Sequence, residues 1–539
     1  MPDAVEQHGW TPERSVAGGR SPWAIVGVIS IATFMVVLDT SIANVALAHI
    51  AGSLSASYDE ATWVITSFLI ANAVIIPVSG WLADVIGRKR YYMISVALFT
   101  IASFVCGISS NLTMLVIARI VQGIGGGGLT PVEQSMLVDT FSPAKRGAAF
   151  AAYGVVVIVG PIFGPTLGGW ITDNISWGWV FLINVPIGIL SLILVSIFVD
   201  EPEAVRRRSV EMRAGGLKID LVGFALAALA LGCLEVTLDR GQREDWFSSP
   251  LISTCAAISV LSFIIFIPWE LSRADPIVRI RMYGRRNFGI ANILMLLMGV
   301  IIFGSTQFIP QLLQQVMGYT ATDAGLALTA GGVATLMVMP LAGFLTGKVD
   351  PRILIGTAFA IQVIALWNMS QLSTQMSFHD AAVARMIQSV GLPFLFVPVT
   401  NAAYIGLRPD QSNQASALMN VSRNLGGTFG ISLVQTLLAQ RSQIHQAQYV
   451  ETLNPLNPNY THAVQQITHA LVSHGMAQAQ ASKVAVGLLY RQLGQQANML
   501  SYVDAFHILM ILIACALPLI FLMQGPGKRE QGASAAAAP

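Results

Sequence analysis

Two oppositely charged residues lie inside apolar stretches of this chain. Asp39 interrupts the first such stretch, and Arg119 interrupts the fourth. A helix rises about 1.5 Å per residue, which places Asp39 roughly 5 Å and Arg119 roughly 8 Å outward of the midplane of a bilayer. Charges in hydrocarbon are costly and usually mark a functional pathway. The two side chains are therefore expected to face each other across a helical bundle.

Proton coupling is the chemistry that this pair could carry. Burial disfavours a carboxylate, whereas a neighbouring guanidinium stabilises it, so Asp39 could alternate between an Arg119-paired carboxylate and a protonated acid. The alternative is a permanent ion pair that only fixes helix packing. Glu133 is a second candidate, because it follows Pro131 in the fourth stretch, where a helix distortion could admit water. Glu235 and Asp239, near the outer end of the seventh stretch, are expected to be solvated by headgroups and water.

The stretches that hold these residues are long enough to cross a membrane. The chain of 539 residues is 54% hydrophobic and 11% charged, with a mean hydropathy of +0.64, which excludes a water-soluble globular protein. Windows of about 20 residues span a bilayer of about 30 Å as helices. Fourteen such windows are predicted, near 24–47, 62–83, 91–109, 112–137, 146–171, 178–198, 219–238, 250–269, 288–309, 322–347, 351–369, 380–404, 413–435 and 500–524.

The basic residues predict the orientation of these spans. Cytoplasmic loops retain Lys and Arg, and 22 of the 30 basic residues fall on the side that holds both termini. Both termini are therefore expected in the cytoplasm. Residues 1–23 have no apolar core with a cleavage site, so the first span is expected to be an uncleaved anchor. A net charge of +2 does not suggest a nucleic-acid partner.

Short strings recur at nearly one offset along the chain. Gly80-Trp-Leu is repeated at Gly343-Phe-Leu, 263 residues later, and Arg119-Ile-Val-Gln at Arg385-Met-Ile-Gln, 266 residues later. A shared spacing predicts a duplicated six-helix unit with two inserted helices between the copies. The predicted division is a cytoplasmic segment 1–23, a six-helix bundle 24–198, a linker 199–218, an inserted pair 219–269, a linker 270–287, a second bundle 288–524 that includes a periplasmic loop 436–499, and a disordered tail 525–539.

The loop 436–499 is longer than the other connections. Val464, Ile467 and Leu471 have helical spacing among polar residues, which predicts one or two amphipathic helices. Their apolar stripe could cover the outer face of the chain itself or dock a partner protein. The histidines of the loop lack the spacing of a helical metal site and are expected to be solvated; they are His445, His462, His469 and His474. No metal site and no cofactor are expected.

Two further strings predict contacts between helices. Gly80 to Arg90 ends the second span, where Asp84 could pair with Arg88 at i+4 or with a neighbouring helix end. It is either a basic anchor or a latch between helix ends. A second string places glycines at i, i+4 and i+8, which permits close helix packing, and its two prolines favour a bend. Its residues are Gly160, Pro161, Gly164, Pro165 and Gly168.

Five strings in order resemble the major facilitator superfamily. They are Leu38-Asp39-Thr-Ser-Ile-Ala-Asn44-Val-Ala, Gly80 to Arg90, Arg119-Ile-Val-Gln122-Gly123, Gly160 to Gly169, and Trp177-Gly-Trp-Val-Phe-Leu-Ile-Asn184-Val-Pro186. The resemblance is to the fourteen-helix drug:proton antiporters, and most closely to the EmrB-type inner-membrane pump subunits. It implies an all-α, polytopic protein with the major facilitator fold in a 6+2+6 arrangement.

This resemblance also implies a function. Two bundles would alternate access to a central cavity while protons drive the export of lipophilic compounds across the bacterial inner membrane. Asp39 and Arg119 would couple protons, Asp84 and Arg88 would form the cytoplasmic latch, and the Gly160 string would form the antiporter bend. The pump would engage a periplasmic adaptor and, through it, an outer-membrane channel. The second copy departs from the pattern, because Gly347-Lys348-Val-Asp350 lacks the acidic residue of the latch.

Substrate residues are less visible in the sequence. A cavity lined by Met, Phe, Gln and Asn would bind varied apolar molecules, and few central acids favour neutral or anionic compounds over dications. The candidates are Asn44, Gln307, Asn420 and Asn424. A proton-coupled importer or a lipid flippase of the same fold is an alternative, since fold does not fix transport direction. A membrane enzyme is disfavoured, because the sequence has neither an HExxH motif nor an extramembrane domain of catalytic size.

Overall fold

The described part of the chain is helical. The computed structural model describes residues 20–214, 220–273, 275–408 and 411–523, and these contain no strand. Helices are expected because hydrocarbon offers no hydrogen-bond partners, so each spanning segment must satisfy its own backbone groups. Most of the predicted N-terminal segment 1–23, the end of the linker 199–218 and the whole tail 525–539 lie outside the described residues.

The first six predicted spans correspond to long helices or pairs of helices. Prolines open two of them in the first turn, where no backbone donor is needed. Asn111 caps another, accepting a 2.8 Å hydrogen bond from the backbone N–H of Met114. The helices are α1 (Pro22–Ser53), α2 (Tyr58–Ala61), α3 (Trp63–Ile86), α4 (Arg88–Gly107), α5 (Leu112–Gly127), α6 (Leu129–Thr140), α7 (Pro143–Asn174), α8 (Trp179–Leu182) and α9 (Asn184–Phe198).

The fourth span differs from its prediction, because two helices replace one continuous helix over 112–137. The break falls at Gly128, where a Cβ atom would lie 2.0 Å from the Tyr91 hydroxyl. Gly125 packs as closely, since a Cβ there would lie 2.7 Å from the backbone nitrogen of Phe99. These glycines let α4 and α5 approach each other to backbone distance.

The remaining helices include an inserted pair and a second set of long helices. Thr320 and Ser377 each form a capping box with an aspartate three residues later. The helices are α10 (Glu203–Ala214), α11 (Leu221–Arg240), α12 (Pro250–Ser272), α13 (Arg286–Gln311), α14 (Ala321–Thr346), α15 (Pro351–Met369), α16 (Phe378–Ala403), α17 (Ser412–Thr452), α18 (Pro458–Ser473), α19 (Gln478–Ala516) and α20 (Pro518–Phe521).

These lengths make the chain a multi-pass membrane protein. Twelve helical segments of the described residues are long and apolar enough to cross a membrane. The helices α7 and α17 are not among the twelve, although the predicted windows 146–171 and 413–435 lie within them.

Helices at equivalent positions of the two halves pack on equivalent neighbours. α1 packs on α7 as α13 packs on α17, and α3 packs on α5 as α14 packs on α16. Between the halves, α3 packs on α17 and α7 packs on α14. We call the end of the bundle at which α1 begins the inner end, and the end at which α5 begins the outer end. The closest backbone contacts between the halves lie near the inner end, at Gly80 beside Asn413 and at Gly147 beside Gly343.

The predicted loop 436–499 is largely a continuation of the spanning helices. α17 has 41 residues and α19 has 39, so each is about 60 Å long, twice the thickness of the hydrocarbon core. We call residues 436–499 the outer extension. α18 lies within it and packs against α19, with Val464, Ile467 and Leu471 half-buried. The amphipathic stripe therefore covers part of the chain itself.

Candidate functional site

The two charged residues singled out in the sequence contact each other. Arg119 Nη1 donates to Asp39 Oδ2 at 2.6 Å, and both side chains are almost completely buried, with 1% and 0% exposure. The other carboxylate oxygen accepts from Gln122 Nε2 at 2.9 Å and from Asn184 Nδ2 at 2.8 Å. α1 thus contributes Asp39, α5 contributes Arg119 and Gln122, and α9 contributes Asn184. The four side chains form a single closed site.

The guanidinium of Arg119 is fixed on several sides. Its Nε donates to the Val64 carbonyl at 2.9 Å, and Nη1 also donates to Gln122 Oε1 at 2.6 Å. The guanidinium carbon lies 4.2 Å from the centre of the Phe68 ring. Because a planar guanidinium can donate in several directions and stack on a ring, lysine could not replace these contacts. In this conformation the site is a satisfied, desolvated ion pair.

The sequence did not indicate that Gln122 and Asn184 bind the Asp39 carboxylate, although both lie inside the strings that carry the family resemblance. Asn184 is fixed at the first residue of α9. Gln122 also donates to Ser103 Oγ of α4 at 2.7 Å. For Gln122 the available signal was its repetition at Gln388 within an apolar string, and for Asn184 it was a single polar residue inside an apolar string.

The second half holds a version of this site in which the carboxylate is replaced by a hydroxyl. Arg385 Nη1 donates to Gln388 Oε1 at 2.6 Å and to Ser305 Oγ at 3.2 Å. Ser305 follows Asp39 by 266 residues, the same offset that separates the two arginines and the two glutamines. The repeat offset could have identified this position from the sequence. Of the two equivalent sites, only the first pairs its arginine with an acid at this position.

Glu133 occupies a separate buried cluster. The Thr33 hydroxyl of α1 donates to the Glu133 carboxylate and lies 2.9 Å from the hydroxyl of Tyr153. Glu133 is fully buried, and its Oε1 has no hydrogen-bond partner among the described residues. Tyr92 closes the cluster and donates to the Ile29 carbonyl at 2.9 Å. Thr33 and Asp39 are both on α1, so one helix links the two buried acids.

The Gly80 to Arg90 string connects the two halves at the inner end. Asn413 of α17 donates to Asp84 Oδ1 at 2.5 Å, and the Ser135 hydroxyl of α6 donates to the Asn413 side chain. Arg88 forms an ion pair with Asp139 of α6, and its Nη2 donates to Ser412 at 3.0 Å.

The sequence left two partners open for Asp84, Arg88 at i+4 or a neighbouring helix end, and the structure shows a contact with the second, at the start of α17. Arg88 pairs with Asp139 of α6, and Asp84 contacts the second half through Asn413. Gly87 has a φ of +98°, which a glycine adopts readily and which makes the sharp turn from α3 into α4 possible. No local pattern indicates Asn413, which is 329 residues away from Asp84.

The second glycine string packs α7 against α1 beside the buried pair. A Cβ atom at Gly160 would lie 2.7 Å from Val37, and one at Gly164 would lie 2.4 Å from Ser41 Oγ. Gly168 packs on Ile42 in the same way. α7 continues through this string without interruption. The side chains of Pro161 and Pro165 lie outside the described residues.

Comparison with known proteins decides the family. The family model of the Major Facilitator Superfamily matches residues 29–431. The chain is 39% identical to the multidrug export protein EmrB of Escherichia coli (strain K12), over 92% of this chain and 94% of that protein. The chain belongs to the major facilitator superfamily. This confirms the membership predicted from the five strings and makes the protein a transporter rather than an enzyme.

Two other comparisons describe this major facilitator protein further. It is 34% identical to the fatty acid resistance protein FarB of Neisseria gonorrhoeae, over 94% of this chain and 97% of that protein. The structure of the proton:xylose symporter XylE shares the fold, with a TM-score of 0.57 and 14% identity over 93% of this chain and 99% of that chain.

The predicted substrate residues of this major facilitator protein occupy different environments. Asn44 is exposed and donates to the Thr40 carbonyl of its own helix at 2.9 Å. Asn420 is buried and donates to Gln134 of α6 at 2.8 Å, so it joins the two halves. Asn424 is half-buried one turn further along α17. The Gln307 side chain lies outside the described residues.

Two residues that were expected to be solvated, Glu235 and His445, are covered by neighbouring helices, whereas His462, His469 and His474 are exposed as expected. Glu235 is 4% exposed and accepts a hydrogen bond from Thr428 of α17, and Asp239 accepts from Thr66 of α3 at 2.6 Å. Depth along the span suggested headgroup contact, but neighbouring helices cover Glu235, while Asp239 is half-buried. His445 is half-buried and lies 2.8 Å from Asp504, because α17 and α19 run side by side beyond the spans.

Proposed function

We propose that this protein exports lipophilic compounds across the bacterial inner membrane in exchange for protons, by alternating access. The buried pair of Asp39 and Arg119 is the observation that carries the proposal, since an acid in a membrane segment is functional by default. The name of the E. coli relative, a multidrug export protein, supports drugs as the substrates and export as the direction.

Asp39 is the proposed proton carrier. Its ionised form receives three hydrogen bonds, from Arg119, Gln122 and Asn184. Protonation removes the negative charge that these donors stabilise, while Arg119 keeps the Gln122 and Val64 oxygens as acceptors. α1 then becomes free to move relative to α5 and α9. Glu133 is proposed as a second coupling residue, because it is buried against the same helix.

The conformation described here corresponds to a pump that is closed at the inner end. Asp84 with Asn413, and Arg88 with Ser412, join the halves there. These two contacts must break before the inner end can open. Asp84 and Arg88 therefore act as the proposed latch, with Asp139 holding Arg88 in position.

The proposed architecture has fourteen spans in a 6+2+6 arrangement with both termini in the cytoplasm. The six helical segments before α10 form the first bundle, α11 and α12 are inserted, and α13 to α17 with α19 form the second bundle. The equivalent packing of the two halves supports this division. α7 and α17 are the two spans added to the twelve apolar segments, because each contains one of the predicted windows.

The proposed substrates are neutral or anionic lipophilic compounds. Arg423 lies one turn beyond Asn420 on α17 and is close to Tyr153 of α7. It is half-buried, and its Nε has no hydrogen-bond partner among the described residues. A guanidinium in this position would attract an acid and repel a dication. The fatty acid resistance named for FarB agrees with this preference.

The outer extension is the proposed contact with a periplasmic adaptor, and through it with an outer-membrane channel. α18 already covers its own apolar stripe against α19. Other apolar side chains of the extension remain exposed, among them Leu456 at 88% and Tyr490 at 52%. Exposed apolar groups beyond the membrane favour a protein contact.

Transport in vesicles tests the proposal. Purified protein is reconstituted, a pH gradient is imposed, and the movement of an anionic lipophilic dye is followed together with internal pH. Dye is expected to move against the proton flow in the wild type and to stop moving in Asp39→Asn. Dye that moves with the proton would indicate an importer, and an Asp39→Asn variant with normal proton-linked transport would remove Asp39 from the mechanism.

A further inference from the structure

The inserted helix α11 lies between the two halves. It packs on its partner α12, on α3 of the first half and on α17 of the second half. α3 and α17 themselves meet near the inner end, at Gly80 and Asn413. Toward the outer end α11 therefore stands where the halves must separate and approach again during alternating access.

The outer turn of α11 is tied to the first half by two polar contacts. The Thr66 hydroxyl donates to Asp239 at 2.6 Å. Arg240 Nη2 donates to the Thr62 hydroxyl at 2.8 Å, and its guanidinium carbon lies 3.9 Å from the centre of the Trp63 ring. All three partners are on or beside the first turn of α3, so α11 should move with the first half.

One turn further inward, Glu235 connects α11 to the second half. The Thr428 hydroxyl of α17 lies 3.0 Å and 3.1 Å from the two carboxylate oxygens, and 3.2 Å from the Asn424 carbonyl. The hydroxyl has a single hydrogen, which cannot fully serve both the carboxylate and the carbonyl. An ionised Glu235 would thus be buried with one shared neutral donor, which is costly.

A protonated Glu235 satisfies every group in this cluster. The acid hydrogen is donated to the Thr428 oxygen, and the Thr428 hydrogen is then donated to the Asn424 carbonyl. The neighbouring charges do not stabilise the anion. Asp239 lies one turn outward on α11 and is itself acidic, whereas Arg240 is turned toward Thr62 and Trp63.

Other titratable groups near Glu235 are few. On α17, Arg423 lies five residues before Thr428 and is close to Tyr153 of α7. On α12, Cys255 lies beside Cys233 of α11. The outer half of α3, residues 63–75, carries no titratable side chain.

We propose that Glu235 is a proton-binding site that fastens the inserted helix to the second half through Thr428 while it is protonated, and releases it on ionisation. The inference rests on the proposed transport function, to which it adds a proton that controls the outer side. α11 then acts as a strap whose contact with α17 depends on pH, while its contact with α3 persists.

Distance measurements on the full-length protein test this inference. Nitroxide labels replace Leu229 of α11 and Phe429 of α17, which are both exposed, in a chain whose four native cysteines are replaced by alanine. The distance between the labels is expected to lengthen as pH rises from about 5 to about 9. Glu235→Gln should keep the short distance throughout, because the amide can still donate to Thr428. Thr428→Val should give the long distance at every pH.

The controls separate this inference from the proposed transport mechanism. Asp239→Asn is the matched control, since it removes a neighbouring acid and should keep the pH response. Asp39→Asn, which should stop transport, is also expected to keep the response. A wild-type distance that does not change with pH, or a Glu235→Gln variant that changes as the wild type does, would overturn the role of Glu235.

Discussion

At the scale of single residues, the two halves of the molecule differ mainly in one acidic residue. Asp39 and Ser305 occupy equivalent positions opposite Arg119 and Arg385, and both arginines donate to a glutamine three residues later. A carboxylate can gain and lose a charge within the physiological range, whereas a serine hydroxyl cannot. The proposed proton coupling is therefore assigned to the first half, and the second half keeps the polar framework with a serine in place of the acid.

The first prediction compares the two equivalent positions. Arg119→Ala leaves Asp39 buried beside two neutral donors, and it should destabilise the protein by about 3–5 kcal/mol. Ser305→Ala is the matched control in the second half, where one neutral hydrogen bond to Arg385 should cost about 1 kcal/mol. Thermal unfolding in detergent measures both. Equal losses of stability in the two variants would show that removing the cation beside Asp39 costs no more than removing an ordinary hydrogen bond.

Helix geometry decides how well the sequence predicts such residues. The partnership of Asp39 with Arg119 follows from depth in two apolar windows, because rise per residue is fixed. Depth alone did not predict the surroundings of Glu235, because a neighbouring helix rather than lipid headgroups covers this residue. Asn413 could not be found either, because its contacts with Asp84 and Ser135 depend on how the two halves approach each other.

At the scale of helices, the inner end is closed by glycines and by a few polar contacts. Gly80 meets the backbone of α17, and Gly147 meets the backbone of α14. Arg88 and Asp84 add polar contacts between α3, α6 and α17. Closure at this end thus depends on a glycine at position 80 and on the charged side chain of Arg88. The two requirements can be tested separately.

The second prediction concerns the close approach at Gly80. A Cβ atom there would lie 2.9 Å from the Asn413 carbonyl oxygen, so Gly80→Val should favour the state with an open inner end. Gly27→Val is the control, because no atom lies within 4 Å of a Cβ at that exposed position on α1. Thiol labelling of Ala415→Cys, a buried position beside this contact on α17, should increase about tenfold with Gly80→Val. Unchanged labelling would contradict the role of the glycine in closure.

The third prediction concerns the latch. Arg88 and Arg90 carry the same charge two residues apart, but Arg88 is buried against Asp139 and Ser412 whereas Arg90 is exposed. Arg88→Ala should reduce efflux by at least about tenfold, because it leaves Asp139 without its cation. Arg90→Ala should change efflux by less than about twofold. Similar effects of the two substitutions would indicate a basic anchor instead of a latch.

At the scale of the whole molecule, the sequence predicted the positions of most membrane-spanning helices but not where the helices end. Apolar length identifies a spanning segment, but nothing in hydropathy indicates that α17 and α19 continue far beyond the bilayer. The break at Gly128 was missed for a related reason, since a run of glycines is compatible with either packing or interruption. The outer extension is thus a helical continuation of two spans of the second half.

The fourth prediction separates transport from assembly. Residues 453–477 join α17 to α19 and include α18. Replacing them with a short Gly/Ser linker should leave dye transport in vesicles within about twofold of the wild type, because no proposed transport residue is removed. Drug resistance of cells and co-purification with the proposed periplasmic adaptor should both be lost. Loss of vesicle transport would instead show that α18 supports the spanning helices.

The most direct test of the account is proton release on substrate binding. Purified protein in weakly buffered detergent is mixed with a saturating anionic lipophilic dye, and the released protons are counted with a pH indicator. The wild type is expected to release protons, Asp39→Asn to release fewer while still binding dye, and Ser305→Ala to match the wild type. Equal release by Asp39→Asn and the wild type would contradict the claim that this carboxyl exchanges a proton for the substrate.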